Sequence, residues 1–94
     1  MHQDFKLFLH LADSLRFARS AKALHMSPSA LTRAIQRLDE ELGQPLFQRT
    51  KRSVSLTRAG EIFRDYARGR EAAHTRLQEA LATEMQTPTG ELRI

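Results

Sequence analysis

The chain contains no cysteine, which excludes a disulfide framework and any metal site built on thiolates. This absence fits a reducing compartment, and we expect a cytoplasmic protein. No apolar run approaches the roughly 18 residues that a membrane-spanning helix needs. The N-terminus also lacks the apolar stretch of a signal peptide. We therefore expect a protein that has no membrane partner.

Signals for catalysis and for cofactor binding are also missing. The histidines, His2, His10, His25 and His74, lack i, i+4 pairing and carboxylate partners at metal-ligand spacing, so we expect them at the surface or at helix ends. A nucleophile made of His25 and Ser27 would need a third, orienting group. No glycine-rich phosphate loop is present. The sequence predicts no enzyme activity, no metal and no cofactor.

What the chain does have is one concentrated block of positive charge. Among 94 residues, 15 are Lys or Arg and 11 are Asp or Glu, which gives a net charge of +4. Residues 44–58 contain basic side chains but no acid, and they alone carry a net charge equal to that of the whole chain. The charge is therefore a focused patch and not a general bias of composition.

The best-specified helix of the sequence is predicted at 27–42. Ser27 can cap its first turn, Pro28 suits the first helical position, and Gly43 can adopt the left-handed conformation that ends a helix. Apolar residues at steps of four, three and four predict one buried face, made of Leu31, Ile35, Leu38 and Leu42. The outer face offers hydrogen-bond donors near the helix start: Ser29, Thr32, Arg33, Gln36 and Arg37.

This outer face predicts a function, because the acids of the helix are confined to its far end. A donor-rich, acid-free start is typical of a helix that enters a nucleic-acid groove. An ordinary solvated polar face is the alternative, and the neighbouring segments decide between the two.

Two helices are predicted before this one. The first, from about residue 4 to 14, has apolar residues on more than one side, so Phe5 and Leu9 are interpreted as dimer contacts, with burial in the core as the alternative. A short helix at 18–24 and a turn of a few residues then give the signature of a helix-turn-helix. Arg19 and Lys22 on the short helix are candidate phosphate contacts, or else ordinary solvated charge.

A small basic hairpin, the wing, is predicted at 49–56, with Leu46 and Phe47 anchoring it to the core. Apolar residues alternate with serines in its second half. The cations of the wing are Arg49, Lys51 and Arg52, the last two at its tip. Such a hairpin is suited to approach the minor groove, where the negative potential is strong.

A long helix is predicted from residue 58 to about 86, with Thr57 as its N-cap. It would measure roughly 40 Å at 1.5 Å per residue. Ile62, Phe63 and Tyr66 can cover the domain, but the distal half has more apolar surface than a small core can bury. Pairing with a second helix is therefore predicted, and a lone solvated helix is the alternative. The predicted dimer contacts on this helix are Tyr66, Ala73, Leu77 and Leu81.

These motifs together resemble the N-terminal part of LysR-type transcriptional regulators. The resemblance covers all 94 residues and is carried by F-L-H-L-A-D-S-L-R-F-A-R-S-A, H-M-S-P-S-A-L-T-R-A-I-Q-R-L-D-E-E-L-G, P-L-F-Q-R and L-T-R-A-G-E. It implies a mainly α fold: a winged helix-turn-helix at 1–57 and a dimerising linker helix at 58–86. Residues 87–94 would be the hinge and the start of an effector-binding domain. Within the family, the chain is similar to regulators of branched-chain amino-acid biosynthesis, of the type controlling acetohydroxy acid isomeroreductase.

Carried over by position, the resemblance implies DNA contacts by Ser27, Thr32 and Arg33 of the recognition helix. It further implies contacts by Arg49 and Arg52 of the wing and a phosphate contact at the helix cap, Thr57.

One departure affects the predicted contacts. Many members of the family have S-Q-P-A-L-S-R where this chain has S-P-S-A-L-T-R. Pro28 therefore stands where a glutamine often contacts DNA, and Ser29 is expected to take over part of that role.

The sequence thus predicts a transcription regulator that binds double-stranded DNA at dyad-related promoter sites. It would act as a homodimer, or as a tetramer when full length, and a small effector would bind only to the further domain. The alternative is a protein-interaction module, a helical dimer whose long helix docks a partner and whose wing is only soluble surface. Salt separates the two, because phosphate contacts weaken steeply with ionic strength and apolar contacts do not.

Overall fold

The computed structural model of the chain describes residues 2–86. Its elements are, in chain order, α1 (His2–Ser14), α2 (Phe17–Ala23), α3 (Pro28–Leu42), β1 (Phe47–Arg49), β2 (Val54–Leu56) and α4 (Arg58–Gln86). The fold is mainly α, as predicted: three helices, a two-stranded hairpin and a long final helix. The predicted hinge and start of an effector-binding domain, at 87–94, lie outside the described residues.

The boundaries of α3 agree with the boundary signals in the sequence. Ser27 has extended backbone, and its Oγ accepts the N–H of Ala30 at 3.1 Å. Pro28 is the first helical residue and needs no partner for a backbone N–H. At the other end, Gly43 takes a φ of 76° and donates its N–H to the carbonyl of Asp39 at 2.8 Å. These are local contacts, so they follow from the local sequence.

The turn between α2 and α3 contains a residue in an unusual conformation. His25 has a φ of 58°, in the left-handed region that favours glycine. Its N–H donates to the carbonyl of Lys22 at 3.2 Å, and the N–H of Met26 donates to that of Ala21 at 2.9 Å. This is the Schellman pattern of helix termination. The paired hydrogen bonds hold a histidine where a glycine is usual, and they fix where α3 starts.

The core lies where α1 crosses α3 and α4. Its most deeply buried large side chains are Phe8, Leu11, Leu31 and Leu46. Phe8 packs edge-to-face on Phe63 of α4, with ring centroids 4.8 Å apart. The predicted buried face of α3 is confirmed for Leu31, Ile35 and Leu38.

The structure decides the environment of two apolar side chains, Phe5 and Leu42: for Phe5 the alternative of core burial is right, and for Leu42 the predicted burial is wrong. Phe5 is only 4% exposed, because α4 of the same chain covers it with Phe63 and Tyr66 at ring distances of 5.8 and 5.9 Å. It is a core residue and presents no surface to a partner chain, whereas Leu9 is half-buried against the same core. Leu42 was expected in the core but is 46% exposed, because the last turn of α3 borders an open groove.

The buried polar residue of the described core is Ser20, which joins α1 to α2. Its Oγ lies 2.6 Å from Nδ1 of His10 and 2.7 Å from Oγ of Ser14. Ser14 in turn accepts the N–H of Arg16 at 3.0 Å. His10 was expected at the surface or at a helix end, but it is partly buried and hydrogen-bonded, because α2 folds back over this part of α1.

The wing is an antiparallel pair in which Phe47 faces Leu56 and Arg49 faces Val54. It begins two residues before the predicted start, since Phe47 already pairs with Leu56. The tip is closed by Thr50, whose N–H donates to the carbonyl of Ser53 at 2.9 Å and whose Oγ1 accepts the Ser53 N–H at 3.1 Å.

A junction centred on Leu46 joins α3, the wing and α4. The N–H of Leu46 donates to Oδ1 of Asp39 at 3.0 Å, and its carbonyl accepts the N–H of Thr57 at 3.0 Å. A methyl group on Gly60 would collide with the same carbonyl oxygen, so the close approach of α4 requires glycine. One residue therefore fixes three elements relative to each other.

The long helix α4 has two different halves. Near its start, Phe63 and Ala67 are buried against α1, while from residue 75 to residue 85 every side chain is exposed. Ile62 and Tyr66 were expected to cover the domain, but more than half of each side chain is exposed. No helix within residues 2–86 has the length and hydropathy that crossing a membrane requires.

We expect the Asp39 hydrogen bond to contribute measurably to folding. Asp39→Ala should lower the free energy of unfolding by about 1–3 kcal/mol, because the buried N–H of Leu46 would lose its partner. Asp39→Asn keeps an oxygen at the same position and should retain most of this stability. Urea unfolding of the three chains measures the difference, and equal losses in both variants would contradict the assignment.

The same carboxyl should make stability depend on pH. Burial raises the pKa of Asp39 and the charge of Glu40 adds to the rise, while the hydrogen bond from Leu46 opposes it. A raised pKa means that the folded state favours the protonated form, so this contribution is largest at low pH and is lost as pH rises through the folded pKa. As the pH is lowered from neutral to acidic, the free energy of unfolding of the wild-type chain should therefore rise relative to that of Asp39→Asn.

Candidate nucleic-acid interface

The start of α3 presents a compact set of polar groups to solvent. Ser27, Pro28 and Ser29 are all exposed, and the Oγ atoms of the two serines lie 3.3 Å apart. Because Pro28 has no N–H and the N–H of Ala30 is capped by Ser27, the first turn offers few free backbone donors. Its polar character comes mainly from the two hydroxyl groups.

Further along α3, the polar side chains continue on the face opposite the core. Arg33 and Gln36 are exposed and Thr32 is half-buried, while Ala34 and Ile35 face inward. Arg33 therefore lies one turn after Ser29 on the same side of the helix. The predicted separation of α3 into a buried face and a donor-bearing face is confirmed.

Arg37 has a different environment from Arg33. It lines a shallow depression with Asp4, Glu40 and Glu41, at the acidic end of the helix. Arg33 is one turn further from these acids. Neighbouring carboxylates reduce the attraction of a cation for phosphate, so Arg37 is the weaker of the two candidates.

The short helix α2 contributes Arg19 and Lys22, both exposed on its outer surface. Its inner residues Ser20 and Ala21 are buried against the neighbouring helices. The turn at His25 joins α2 directly to α3. The exposure of Arg19 and Lys22 fits both predicted roles, phosphate contact and ordinary solvated charge.

The wing contributes three exposed cations, and the side chains that surround them differ. Lys51 and Arg52 lie at the tip, in the turn closed by Thr50 and Ser53. Arg49 lies on β1, and its guanidinium carbon is 3.8 Å from the ring centroid of Phe17. Within residues 2–86, none of these three side chains forms an ion pair with a carboxylate.

Thr57 is held by contacts that the sequence predicted only in part. Its Oγ1 accepts the N–H of Gly60 at 3.0 Å, which confirms the predicted cap. The same hydroxyl donates its one proton to the carbonyl of Pro45 at 2.7 Å. No proton is left for a phosphate oxygen, so a hydroxyl–phosphate contact would require breaking the bond to Pro45.

Two features of this surface were not predicted from the sequence. The packing of Arg49 on Phe17 joins residues 32 positions apart in the chain, so no local sequence pattern predicts it. The Leu46 junction was missed for the same reason, although the small residue Gly60 after a cap was a partial signal. Among the described residues, no group of His, Asp and Glu side chains forms a metal site.

The described helices and hairpin define a winged helix-turn-helix with a long additional helix. The family of bacterial regulatory helix-turn-helix proteins named lysR matches residues 2–61. The chain belongs to the LysR family of transcription regulators.

Named transcription regulators with similar sequences support this assignment. The HTH-type transcriptional activator IlvY of Salmonella typhimurium is 50% identical over 92 residues, which are 98% of this chain and 31% of that protein. The IlvY activator of Haemophilus influenzae is 40% identical over 91 residues, 97% of this chain and again 31% of the relative. The chain therefore spans about a third of the length of these relatives.

Solved structures of the same family include complexes with DNA. The BenM DNA-binding domain bound to catB site 1 matches with a TM-score of 0.87 and 25% identity over 93% of this chain and 97% of that one. Full-length CbnR bound to its target DNA matches with a TM-score of 0.80 and 32% identity over 87% of this chain and 28% of that one. The fold described above is thus that of a LysR DNA-binding domain.

Proposed function

We propose that this chain reads a specific DNA sequence by placing α3 in the major groove and the wing at the adjacent minor groove. The observation that carries the proposal is the acid-free set of polar side chains on the outer face of α3, at the start of a helix held by the Leu46 junction and the His25 turn. Side chains at the start of such a helix reach base edges. The BenM domain and CbnR were solved as complexes with DNA, which supports DNA as the partner.

The proposed DNA contacts fall into two groups. Base contacts are assigned to the exposed or half-exposed residues of α3: Ser27, Pro28, Ser29, Thr32, Arg33 and Gln36. Phosphate contacts are assigned to the exposed cations: Arg19, Lys22, Arg37, Arg49, Lys51 and Arg52. Thr57 could join them only by giving up its hydrogen bond to the carbonyl of Pro45, so its assigned role is to hold the start of α4. This division follows the general rule that base contacts specify the sequence and phosphate contacts fix the position of the protein.

We further propose that two copies assemble through α4. Ile62, Tyr66, Leu77 and Leu81 are between 54% and 57% exposed, and their spacing places them along one side of the helix. Beside the first two lies a groove of about 1,050 Å³, with Leu42 and Leu46 among its apolar walls and Arg58 and Arg70 among its charged lining residues.

The distal part of α4 from a second copy is proposed to fill this groove with Leu77 and Leu81. Glu84, which lies on the same side of that segment as these leucines, complements the charge of Arg70 at the groove. A two-fold arrangement would then set two recognition helices on one side of the duplex, about 34–36 Å or a multiple apart.

The chain is proposed to act as part of a longer regulator. Residues 1–57 would be the DNA-binding unit, 58–86 the linker helix, and 87–94 the hinge to an effector-binding domain. Such a protein would work in the cytoplasm, and its assembly could extend to a tetramer. The similarity to IlvY supports promoters of branched-chain amino-acid biosynthesis as targets, and footprinting on such promoters against unrelated promoter DNA would test this.

The second candidate function is a protein-interaction module, which the exposed stripe of α4 favours by itself. The two functions are separated by binding of the 94-residue chain to a duplex selected from a random library. DNA affinity should fall steeply between roughly 50 and 200 mM salt. Failure to enrich any sequence, with no salt-dependent binding, would favour the interaction module.

Arg33 should contribute to sequence discrimination. Arg33→Ala is expected to weaken binding to the selected duplex by roughly 1–3 kcal/mol and binding to random DNA by much less, because a bidentate contact to a guanine would be lost. Arg33→Lys keeps the positive charge but cannot make the bidentate contact, and it serves as the control. Equal losses on both DNAs in the alanine variant would show that Arg33 meets only phosphate.

Arg52 should contribute affinity without sequence preference. Arg52→Ala is expected to weaken specific and non-specific binding together and to reduce the magnitude of the salt slope by about one, because one phosphate contact is lost. Titrations at several salt concentrations measure the slope. Arg76→Ala, on the distal half of α4, removes the same charge away from the wing and should leave the slope unchanged. A changed base preference at one position would contradict a phosphate contact by Arg52.

Leu77 and Leu81 should hold the dimer together. Replacing both by Lys should give a folded monomer that binds a half-site weakly, because neither side chain contributes to the core of its own chain. Sedimentation, circular dichroism and affinity for full and half sites provide the measurements. The control places lysines at Gln78 and Ala82, which have the same spacing on another side of α4. An unchanged dimer in the Leu77 and Leu81 variant would contradict the proposal, and so would an unfolded chain.

A further inference from the structure

Arg49 differs from the other cations of the wing in having an aromatic support. Its guanidinium carbon lies 3.8 Å from the ring centroid of Phe17, the first residue of α2. This distance is well within the range of a cation–π contact. The residue itself is exposed, while Phe17 is half-buried. The contact therefore spans the boundary between the helix-turn-helix and the wing.

The ring of Phe17 is itself held in place from the core. It meets the ring of Phe47 at 6.3 Å in an edge-to-face arrangement, and Phe47 meets the buried Phe8 at 5.4 Å. Phe47 and Arg49 are two positions apart on β1, so both side chains leave the strand on the same side. One face of the strand therefore packs on the core through Phe47 and on α2 through Arg49.

This packing has a consequence for binding. A long arginine side chain loses considerable rotamer freedom when it is fixed on a ligand, and contact with a fixed ring removes part of that freedom beforehand. The Phe17 ring lies against the guanidinium group of Arg49. The N–H groups of Arg49 point outward in the plane of the guanidinium, so two of them can still donate side by side to one phosphate. Lys51 and Arg52, at the tip, have no such aromatic contact within residues 2–86.

We propose that Phe17 is a positioning residue for DNA binding, which holds the Arg49 guanidinium ready for a phosphate. This inference rests on the proposed DNA-binding function of the chain. Phe17 does not itself contact DNA in this scheme. Its contribution acts through Arg49 alone, and this makes the proposal testable by combining substitutions.

The test is a double-mutant cycle on DNA affinity, measured with a duplex selected by the wild-type chain. Phe17→Leu keeps an apolar side chain but removes the aromatic face. It should weaken binding about two- to fivefold, the equivalent of roughly 0.5–1 kcal/mol, because the Arg49 side chain would then be ordered only on binding. In the background of Arg49→Ala, Phe17→Leu should have no further effect. In the background of Arg52→Ala, the same loss should persist, because Arg52 does not touch Phe17.

Two further variants separate positioning from simple packing. Phe17→Tyr keeps the aromatic face and should bind DNA as the wild-type chain does. Pentafluorophenylalanine placed at position 17 keeps the ring shape but reverses the charge of its face, so it should weaken binding while thermal unfolding changes little. This variant also serves if Phe17→Leu does not fold.

The outcomes are distinct. A Phe17→Leu effect that remains after Arg49→Ala, or full affinity of the pentafluoro variant, would overturn the role of Phe17 and leave the proposed function intact. A wild-type chain that binds no duplex in a salt-dependent way would overturn the proposed function, and this inference with it. Coupling that is confined to the Phe17 and Arg49 pair would support both.

Discussion

The backbone of Leu46 connects the parts of the molecule that would meet DNA. Its N–H is bonded to Asp39 on α3, its carbonyl accepts the N–H of Thr57 at the start of α4, and its side chain is 1% exposed in the core. Gly60 allows α4 to approach that carbonyl without a side chain in between. A buried backbone group that lost one of these partners would be left unsatisfied at considerable cost. Helix α3, the wing and helix α4 therefore have one fixed arrangement.

The placement of acidic residues follows from this arrangement. Asp39 is used internally, as the acceptor for Leu46, and Glu40 and Glu41 lie at the end of α3 that is remote from Ser29 and Arg33. Cations on the wing and on α2 are left without carboxylate partners in the described part of the chain. Surface ion pairs contribute little to stability, so leaving cations unpaired has a small cost to folding. Their full charge remains available for a polyanion.

The apolar residues also fall into two groups, one in the core and one exposed to solvent. The described core is small and consists mainly of side chains from α1, α3 and the first half of α4. Leu42, Ile62 and Tyr66 border an open groove instead, and Leu77 and Leu81 extend the exposed stripe away from the domain. Isolated exposed apolar residues are normal, but an aligned series next to a groove is typical of an association surface. Assembly would thus be coupled to the orientation of α4, which Leu46 fixes.

The sequence by itself determined the features that depend on neighbours a few residues away. The ends of α3 follow from Ser27, Pro28 and Gly43, the N-cap of α4 follows from Thr57, and the basic patch follows from composition. Only the tertiary structure decided that Phe5 is buried beneath α4, that Leu42 is exposed beside a groove, that His10 bonds Ser20 and that Arg49 packs on Phe17. Periodicity shows which side of a helix is apolar, but not which element covers it. That depends on how segments distant in the sequence pack, and the Leu46 junction, for which Gly60 was only a partial signal, is one such contact.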